Sequence, residues 1–507
     1  MSDFRTEVPV TLGELTSEPV DQSGPSGDFV YIDISSIDRE TKTISDPKAL
    51  TLDQAPSRAK QVLKMGDVLV SMTRPNLNAV ALVPAQLDGA IGSTGFHVLR
   101  SRWLKPEFLF ALVQTHDFID AMTDVVQGAL YPAVRPKDIC AYSLSFETPA
   151  QQTRIVEKLE ELLTDLDAGV AELKAAQKKL AQYRQSLLKA AVEGALTAEW
   201  RQQHPPAETG AQLLQRILTE RRARWEAKQL AKFKQQGKTP PKDWQKKYPE
   251  PVQPDTNGLP DLPQGWVWAS VDQCSLDDSA ITDGPFGSNL KSSHYQASGP
   301  RVIRLQNIGD GVFVDAMAHI AESHYSELFK HAVQKDDLAI AMLGEILPRA
   351  CIIPSGVAPA IVKADCARVR VNKCLMQPAL LAAQLNSKPI RDAVVKFVKG
   401  IGRPRINLGH IRAIPIALCS IDEQSQLEAH LFAAQQAIDR QNEAINLSLK
   451  QSSAQRQNIL RAAFSGHLVP QDHNDEPASV LLARIRAERA ERDTLKTPRR
   501  SKAKEPA

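Results

Sequence analysis

The chain lacks the cysteine, hydrophobic and leader patterns that mark metal-binding, disulfide-rich and membrane proteins. Its six cysteines include no CxxC pair, so neither a zinc framework nor a disulfide scaffold is indicated. No apolar run approaches the roughly 18 residues that a membrane span needs, and the N-terminus MSDFRTEVPV has no signal-peptide pattern. These absences predict a cytoplasmic protein with reduced thiols and no membrane association.

A large excess of one charge is also missing. The formal net charge is only +3 over 507 residues, and it is unevenly distributed. Residues 201–250 carry 12 basic and 5 acidic side chains, whereas residues 1–150 carry 13 and 19. Any binding to nucleic acid must therefore come from local faces rather than from the whole surface.

The usual catalytic motifs are absent. Gly237-Lys238-Thr239 ends like a phosphate-binding loop, but position 232 is Lys where that loop needs a glycine. No Asn or Asp precedes a Pro-Pro-Tyr or Pro-Pro-Phe, so the usual amino-methyltransferase motif is missing, and neither GxSxG nor HExxH occurs. The sequence therefore offers no recognisable enzyme site.

Two polar clusters invite a metal or nuclease interpretation, and both have simpler explanations. Asp336, Asp337 and Glu345 are more simply solvated acids, and Asp337 matches Asp67 as a residue at the start of a strand. Four histidines fall within 38 residues but show no i, i+4 pair and no adjacent cysteine: His294, His319, His324 and His331. We expect no metal site.

The strongest signal in the sequence is an internal repeat. QSLLKAAVEGALT (185–197) returns as QNILRAAFSGHLV (457–469), offset by 272 residues, and KMGDVLVSM (64–72) returns as QKDDLAIAM (334–342), offset by 270. AQLLQRILTER (211–221) returns as SVLLARIRAER (479–489), offset by 268. Such steady offsets predict two homologous halves of about 250 residues each.

Each half combines a variable globular part with a long helix. Short β-branched runs separated by turn residues indicate α+β domains with a mostly antiparallel or mixed sheet. Residues 150–198 then carry apolar positions 3 and 4 apart, and residues 421–470 repeat the pattern. One narrow seam per helix favours a two-helix coiled coil, in which each helix would be about 70 Å long.

Several motifs resemble the target-recognition domains of Type I restriction specificity subunits. LPQGWVWASVDQC (262–274), ITDGPFGSNLKSSHY (281–295) and GPRVIRLQNI (299–308) resemble the opening of such a domain. GIGRPRINLGHIRAIPI (400–416), followed by EQSQLEAHL, resembles its end and its entry into the conserved helix. The first half has the same ending in altered form, GALYPAVRPKDICAYSLSFETPAQQTRIVEKLEEL, and its beginning lacks Gly-Trp and GPFGS.

The resemblance covers essentially the whole chain and implies a domain plan. Two mixed α/β target-recognition domains would be joined by two long antiparallel coiled-coil helices, in a pseudo-two-fold internal repeat. The predicted segments are target-recognition domain 1 (1–149), conserved helix 1 (150–200), a basic amphipathic helix with a Pro-rich linker (201–262), target-recognition domain 2 (263–420), conserved helix 2 (421–470) and a basic C-terminal helix and tail (471–507).

In the second half, two motifs offer candidate DNA contacts. The glycines of GPFGSNLK permit close backbone approach, and Ser288, Asn289 and Lys291 could donate to phosphates or base edges, although a plain turn explains them equally well. In GRPRIN, arginine can pair with guanine and asparagine with adenine, while a helix-start turn with solvated arginines is the alternative. The candidates in and near that motif are Arg403, Arg405, Asn407 and, in GEILPRA, Arg349.

The first half offers corresponding candidates. The loop that matches GRPRIN contributes Tyr131 and Arg135, and the segment TRPNLN contributes Arg74, Asn76 and Asn78. Polar surface residues are common, so ordinary solvated side chains are the alternative for each.

The resemblance implies a non-catalytic DNA-recognition subunit that reads two half-sites of one asymmetric sequence. It would bind double-stranded DNA, two methyltransferase subunits and restriction/translocase subunits. No cofactor would be bound by this chain, because S-adenosylmethionine, ATP and magnesium are used by the partner subunits. A coiled-coil adaptor without DNA readout, or an enzyme with an unrecognised nuclease or methyltransferase site, remains an alternative from the sequence.

Overall fold

The computed structural model describes residues 10–16, 18–126, 132–398, 402–472 and 474–496. The chain divides into two compact units. The first comprises Met1–Lys174 and Ile445–Ala507, and the second comprises Ala175–Ala444. Both divisions fall inside long helices, so each unit contains one segment of each long helix.

The first unit contains a three-stranded antiparallel sheet, a four-stranded mixed sheet and two strand pairs. The sheet orders are β10-β7-β8, β5-β2-β9-β6, β1-β11 and β3-β4, and only β2 and β9 run parallel. The strands are β1 (Val10–Thr11), β2 (Phe29–Ile32), β3 (Ile37–Asp38), β4 (Thr43–Ile44), β5 (Lys48–Leu50), β6 (Ala59–Val62), β7 (Val68–Ser71), β8 (Val80–Leu82), β9 (Ile91–Ser93), β10 (Phe96–Leu99) and β11 (Ser143–Leu144).

The second unit follows the same plan, except that its antiparallel sheet has one extra strand and that its described residues form no strand pair corresponding to β3-β4. Its orders are β13-β20-β17-β18, β15-β14-β19-β16 and β12-β21, and here β14 and β19 are the parallel pair. The strands are β12 (Val267–Ser270), β13 (Ile281–Asp283), β14 (Tyr295–Ile303), β15 (His319–Ile320), β16 (Ala332–Val333), β17 (Leu338–Ala341), β18 (Arg349–Ile352), β19 (Ala360–Val362), β20 (Cys366–Val369) and β21 (Pro415–Leu418). The extra strand, β13, leads into GPFGSNLK, which the first half lacks.

Short helices cover the sheets, and two helices of 44 residues each dominate the rest of the chain. Helices α2 and α10 both begin at a proline, as expected for the first helical turn. The helices are α1 (Leu12–Leu15), α2 (Pro106–Leu112), α3 (His116–Asp124), α4 (Pro136–Cys140), α5 (Pro149–Val192), α6 (Ala198–Gln203), α7 (Gly210–Gln235), α8 (Val271–Cys274), α9 (Glu322–Glu327), α10 (Pro378–Leu385), α11 (Lys388–Val395), α12 (Leu408–Arg412), α13 (Ile421–Phe464) and α14 (Ala478–Lys496). The predicted α+β class with two long helices is confirmed.

A buried glutamine at the start of each long helix fixes it to its globular part. The side-chain oxygen of Gln152 accepts a hydrogen bond from the Lys105 amide at 2.8 Å, and its amide nitrogen donates to the Glu147 carbonyl at 2.8 Å. The side chain of Gln424, 272 residues later, accepts a hydrogen bond from the Gln377 amide at 3.0 Å and donates to the Cys419 carbonyl at 3.1 Å. Both side chains are fully buried, so these bonds satisfy groups that would otherwise be costly to desolvate.

A buried ion pair at the start of β7 and of β17 corrects one sequence interpretation. Asp337 is 1% exposed and accepts two bonds from Arg370, at 2.7 and 2.6 Å, rather than being solvated. Asp67 and Arg100 form the same pair at the same distances. The solvated-acid interpretation is therefore wrong for Asp337, and its predicted place at the start of a strand is confirmed.

The segment between the halves is packed rather than a free spacer. Leu213, Ile217 and Trp225 of α7 are buried, and the first two belong to the core of the second unit. The Pro-rich stretch then returns to α8, where the Val252 amide donates to Asp272 at 3.1 Å. The linker interpretation of residues 201–262 therefore needs correction, because most of α7 is anchored to the second unit.

Candidate nucleic-acid interface

In the second unit, the loops that carry GPFGSNLK and GRPRIN share one surface. Arg405 forms an antiparallel bridge with Leu343, and the Gly344 amide donates to the Pro404 carbonyl at 3.1 Å. Gly284 packs so closely that a Cβ there would lie 2.1 Å from the backbone of Lys363. We call residues 284–291, 343–346, 363–365 and 402–407 the second-unit loop surface.

Arg405 is partly engaged within this surface. Its guanidinium lies 2.8 Å from a carboxylate oxygen of Asp365 and 5.9 Å from the ring centre of Phe286. The arginine side chain is 46% exposed. An ion pair this exposed is worth at most about 1 kcal/mol, so a phosphate or a guanine edge could replace the carboxylate.

Arg403 and Asn407 have different environments in the same loop. Arg403 is exposed, and no ion pair engages it among the described residues. Asn407 is the N-cap of α12, and its side-chain oxygen accepts the His410 amide at 2.9 Å. Bidentate reading of adenine needs both the oxygen and the amide nitrogen of asparagine. The helix-start alternative is therefore favoured for Asn407, and the DNA alternative is kept for Arg403.

The GPFGSNLK loop presents an exposed edge. Ser288, Asn289 and Lys291 are exposed, and Gly287 adopts a left-handed φ of 59° that turns the loop outward. The His324 ring nitrogen hydrogen-bonds the Asn289 carbonyl at 2.9 Å, which fixes the turn. Sequence reasoning missed Phe286, which is 47% exposed at the tip of this loop, although the motif itself contained the signal.

Arg349 does not join the loop surface. It lies on β18, half-buried, and donates to the Leu305 carbonyl at 3.3 Å. Its Nε is buried without a hydrogen-bond partner. Since its donors point inward, the structure argues against a DNA contact by Arg349.

The first unit builds an equivalent surface from equivalent backbone bonds. Thr73 bridges Ala133, the Arg74 amide donates to the Pro132 carbonyl at 2.8 Å, and the Val134 amide donates to the Met72 carbonyl at 2.8 Å. These match the second-unit bonds at the offsets of 270 and 272 that the sequence repeat shows. We call residues 73–78 and 132–135 the first-unit loop surface.

Two of the three TRPNLN candidates are available on this surface. Arg74 and Asn76 are exposed, and Arg74 has a left-handed φ of 49°. Asn78 is only 8% exposed, and its amide nitrogen donates to the Val113 carbonyl at 2.8 Å. The prediction for Asn78 is therefore wrong, because this buried amide positions α2 rather than reaching solvent.

Arg135 is exposed but forms a local pair, and Tyr131 lies outside the described residues. Two guanidinium nitrogens of Arg135 contact Asp138 at 3.0 and 3.1 Å, and the Asp138 carboxylate also caps α4. The Arg135 guanidinium lowers the pKa of the Asp138 carboxyl. Arg135 occupies the position that Asn407 has in the second unit, so both residues begin a short helix.

No group of three histidine, cysteine or acidic side chains that could hold a metal ion is found among the described residues. The His294 and His324 rings pack edge to face with centres 4.5 Å apart. None of the helices in the described ranges combines the length and apolar content that a bilayer span requires. The surfaces offer cations and amides, which suit phosphates and base edges.

Known proteins similar to this chain are specificity subunits. No protein-family model matches the chain. The Escherichia coli Type I restriction enzyme EcoDI specificity subunit is 24% identical over 409 residues, 78% of this chain and 79% of the relative. The E. coli EcoBI specificity subunit is 25% identical over 353 residues, 67% of this chain and 63% of the relative.

A solved structure from work on complex assembly and conformational transition of the type I R-M system has the same fold. It matches with a TM-score of 0.61 and 24% identity, over 91% of this chain and 98% of that chain. The resemblance to Type I specificity subunits that the sequence motifs predicted is therefore confirmed.

Proposed function

We infer that the chain recognises DNA sequence as the specificity subunit of a Type I restriction-modification system and is not itself an enzyme. The observation that carries this inference is the pair of equivalent loop surfaces, one in each unit, on a chain whose relatives are specificity subunits. Both surfaces combine a rigid backbone cradle with exposed arginines, while their side chains differ. Such a scaffold can hold different base-reading groups in one geometry.

We further propose that each unit reads one half-site of a bipartite, asymmetric DNA sequence. The decisive experiment is methylome sequencing of a host that expresses the chain with its neighbouring methyltransferase. Exchanging residues 1–150 for the equivalent domain of a relative should change one half of the methylated motif and leave the other half intact. A change in both halves, or in neither, would contradict the two-headed model.

We propose that α5 and α13 form an antiparallel coiled coil that gives the chain a pseudo-two-fold plan and sets the spacing between half-sites. In support, both helices have 44 residues, and their bounds differ by 272 residues at each end. Along the middle of α5, the predicted seam residues Leu166, Val170, Leu173 and Leu180 are half-buried.

The spacing proposal has a direct test. Deleting one heptad from each helix, Val170–Ala176 with Asn442–Ser448, keeps the seam in register and shortens it by about 10 Å. That distance corresponds to roughly 3 base pairs, so modification at the original spacing should be lost or move to a shorter-spaced site. If a folded, assembled variant still modified the original site normally, the helices would not set the spacing and would serve only to dock partner subunits.

The partners follow from the same inference. The chain acts with DNA and with other subunits of the restriction system, and we propose two methyltransferase subunits and a restriction/translocase subunit. The chain itself would bind no cofactor, since S-adenosylmethionine, ATP and magnesium serve the partners. A cytoplasmic location stays a prediction. An assembled complex without sequence preference for DNA would support the coiled-coil adaptor alternative. Methyl transfer or DNA cleavage by the purified chain alone would support the enzyme alternative.

A further inference from the structure

A compact helix-turn hairpin follows the buried part of α7. Helix α7 ends at Gln235. Gly237, two residues beyond it, has a φ of 62°, and the Lys238 amide donates to the Phe233 carbonyl at 2.9 Å, which closes the helix end. The chain then turns back along the helix. Trp244 stacks on Trp225 with ring centres 5.8 Å apart.

Two further aromatic contacts lock this return. Tyr248 packs edge to face on Trp225 at 5.4 Å, and Phe233 packs edge to face on Trp244 at 6.2 Å. Trp225 and Tyr248 are 6% and 8% exposed. We call residues 228–248 the basic hairpin. Its aromatic cage gives this segment a defined position on the second unit.

The outer surface of the basic hairpin is strongly cationic. Its sequence contains seven lysines and one acidic residue, Asp243. Lys246 pairs with Asp243 at 2.8 Å, and Lys228 lies 3.9 Å from Asp278. The five remaining lysines are exposed, and within the described part of the chain no ion pair engages them: Lys232, Lys234, Lys238, Lys242 and Lys247. Concentrated, unneutralised positive charge of this kind attracts a polyanion.

We propose that the basic hairpin is a second DNA-contact surface, one that binds the phosphate backbone without reading sequence. Lysine is a flexible point charge suited to phosphate, whereas bidentate base reading favours arginine and asparagine. The three aromatic rings of the hairpin, Phe233, Trp244 and Tyr248, are engaged with Trp225 in the cage and are half-buried or buried, so the lysines are the groups most exposed to a ligand. The hairpin therefore adds affinity and salt dependence to the loop surfaces, not specificity.

The composition of the hairpin favours DNA over an acidic protein. Protein interfaces are built around buried aromatic and apolar anchors and are depleted in lysine. Here the aromatic anchors pack inward and the lysines project outward. Lys228 also lies beside Asp278, three residues before β13, the strand that leads into the GPFGSNLK loop. This contact joins the start of the hairpin to the segment that precedes β13.

The test replaces three unpaired lysines in the chain assembled with its methyltransferase subunits. Lys232→Gln, Lys238→Gln and Lys242→Gln together should weaken binding to duplex DNA with and without the target by the same factor. The slope of log affinity against log salt should become shallower by about 0.9 for each lysine that meets a phosphate, so by roughly 2 to 3. The methylated motif should stay unchanged.

A matched variant separates a local surface from a general loss of charge. Lys60→Gln, Lys64→Gln and Lys335→Gln remove the same charge from exposed lysines outside the hairpin. The proposal would be overturned if the slope of log affinity against log salt became shallower by the same amount in both variants. It would also be overturned if that slope were unchanged in the hairpin variant. Weakened assembly with the methyltransferase, measured by mass photometry, at an unchanged DNA slope would overturn it too, because it would assign the lysines to a protein partner.

This proposal rests on the DNA-recognition function, and the two can fail separately. If the wild-type complex prefers no sequence, the recognition function fails. If the preference persists while the hairpin variant keeps the wild-type salt slope, only the basic hairpin is wrongly assigned.

Discussion

The two units differ in how a basic helix is attached to the globular part. In the second unit, Arg221 of α7 is 2% exposed. It donates to the backbone carbonyl of Asp272, to the Asp272 carboxylate at 3.2 Å and to the Ser275 hydroxyl at 2.7 Å. In the first unit, the matching Arg489 of α14 donates to the backbone carbonyl of Gly13 at 3.2 Å. Both basic helices are thus fixed through an arginine and a carbonyl of a short helix. Only the second unit adds a buried carboxylate.

The two units also differ in the residue that packs against the short helix: it is Arg412 in the second unit and Cys140 in the first. In the second unit Arg412 also pairs with Asp272, at 2.6 Å. The first unit has Cys140 at the position equivalent to Arg412, and a Cβ on Gly13 would lie 2.8 Å from the Cys140 Cβ. A charged pair in one unit is therefore replaced by a small, uncharged pair in the other. The backbone plan is kept while the chemistry at the junction changes, as separate optimisation of two copies would produce.

The loop surfaces show the same separation of scaffold and side chain. The bridges Thr73–Ala133 and Leu343–Arg405 hold the same backbone positions. Yet the second unit has arginine where the first has alanine. Because the bridge depends on backbone groups alone, the side chain is free to vary with the DNA sequence to be read.

The largest expected effect tests whether the buried ion pairs are equivalent. Asp67→Asn and Asp337→Asn should each lower the free energy of unfolding of their own unit by about 3 to 5 kcal/mol, because each removes a buried carboxylate and leaves its half-buried arginine unpaired. Hydrogen exchange with mass spectrometry would locate the loss. Asp392→Asn breaks an exposed pair with Lys388 and should change stability by less than about 0.5 kcal/mol. If only one of the two variants lost stability, the two ion pairs would not be equivalent.

The next prediction tests the contrast between the helix junctions. Arg221→Met should destabilise the second unit by about 2 to 4 kcal/mol, since it removes a fully buried charge-paired donor. Arg489→Met should cost about 1 kcal/mol or less, because Arg489 is half-buried and contributes a bond to a backbone carbonyl. Urea denaturation followed by tryptophan fluorescence measures the loss in the second unit, which contains Trp200, Trp225, Trp244, Trp266 and Trp268, and hydrogen exchange with mass spectrometry measures the loss in the first unit. Equal losses of stability in the Arg221→Met and Arg489→Met variants would show that the Asp272 carboxylate does not strengthen the second-unit junction.

A binding prediction compares the loop surfaces. Replacing Arg403 and Arg405 together by alanine should weaken target binding by the assembled complex by about 1 to 3 kcal/mol if one of them makes a bidentate base contact. Arg74→Ala provides the first-unit comparison and should relax the other half of the motif. Arg405→Lys keeps the charge but loses the planar fork, so it distinguishes base reading from phosphate binding. Wild-type affinity and salt slope in the double variant would remove both arginines from the interface.

The smallest expected effect concerns the charges near the long helices. In the first unit burial, with smaller effects of Arg456 and Arg39, lowers the pKa of Lys42 from 10.5 to about 8. In the first unit Arg456 pairs with Asp167, and in the second unit the matching Arg184 pairs with Asp310 at 3.0 Å. Between pH 8 and pH 10.5 the unfolded chain binds the Lys42 proton more tightly, so the stability of the first unit should rise slightly with pH over this range. Lys42→Met should remove that rise. An identical pH profile in the variant would mean that Lys42 stays charged.

The repeat, the α+β class and both long helices were predicted from the sequence because each depends on local periodicity or on comparison of the chain with itself. The candidate site was only partly predictable. Exposed Arg74, Asn76 and Arg403 have the polar character that the motifs suggested. Asn78 and Arg349 look the same in sequence, but one amide bonds the Val113 carbonyl and the other side chain turns toward Leu305. Those partners are 35 and 44 residues away, beyond the reach of any local pattern.

By itself, then, the sequence predicted the α+β class, the two long helices and a repeat with constant offsets, because hydrophobic periodicity and constant offsets are properties of neighbouring residues and of the aligned halves. The tertiary structure alone decided which polar groups are free. Asp337 is buried at the start of β17 because Arg370 pairs with it, and the Pro-rich segment is held because Trp244 and Tyr248 pack on Trp225. A charge or an aromatic ring has the same letter whether buried or exposed, and only its distant neighbours fix the desolvation and pairing energies that decide its role.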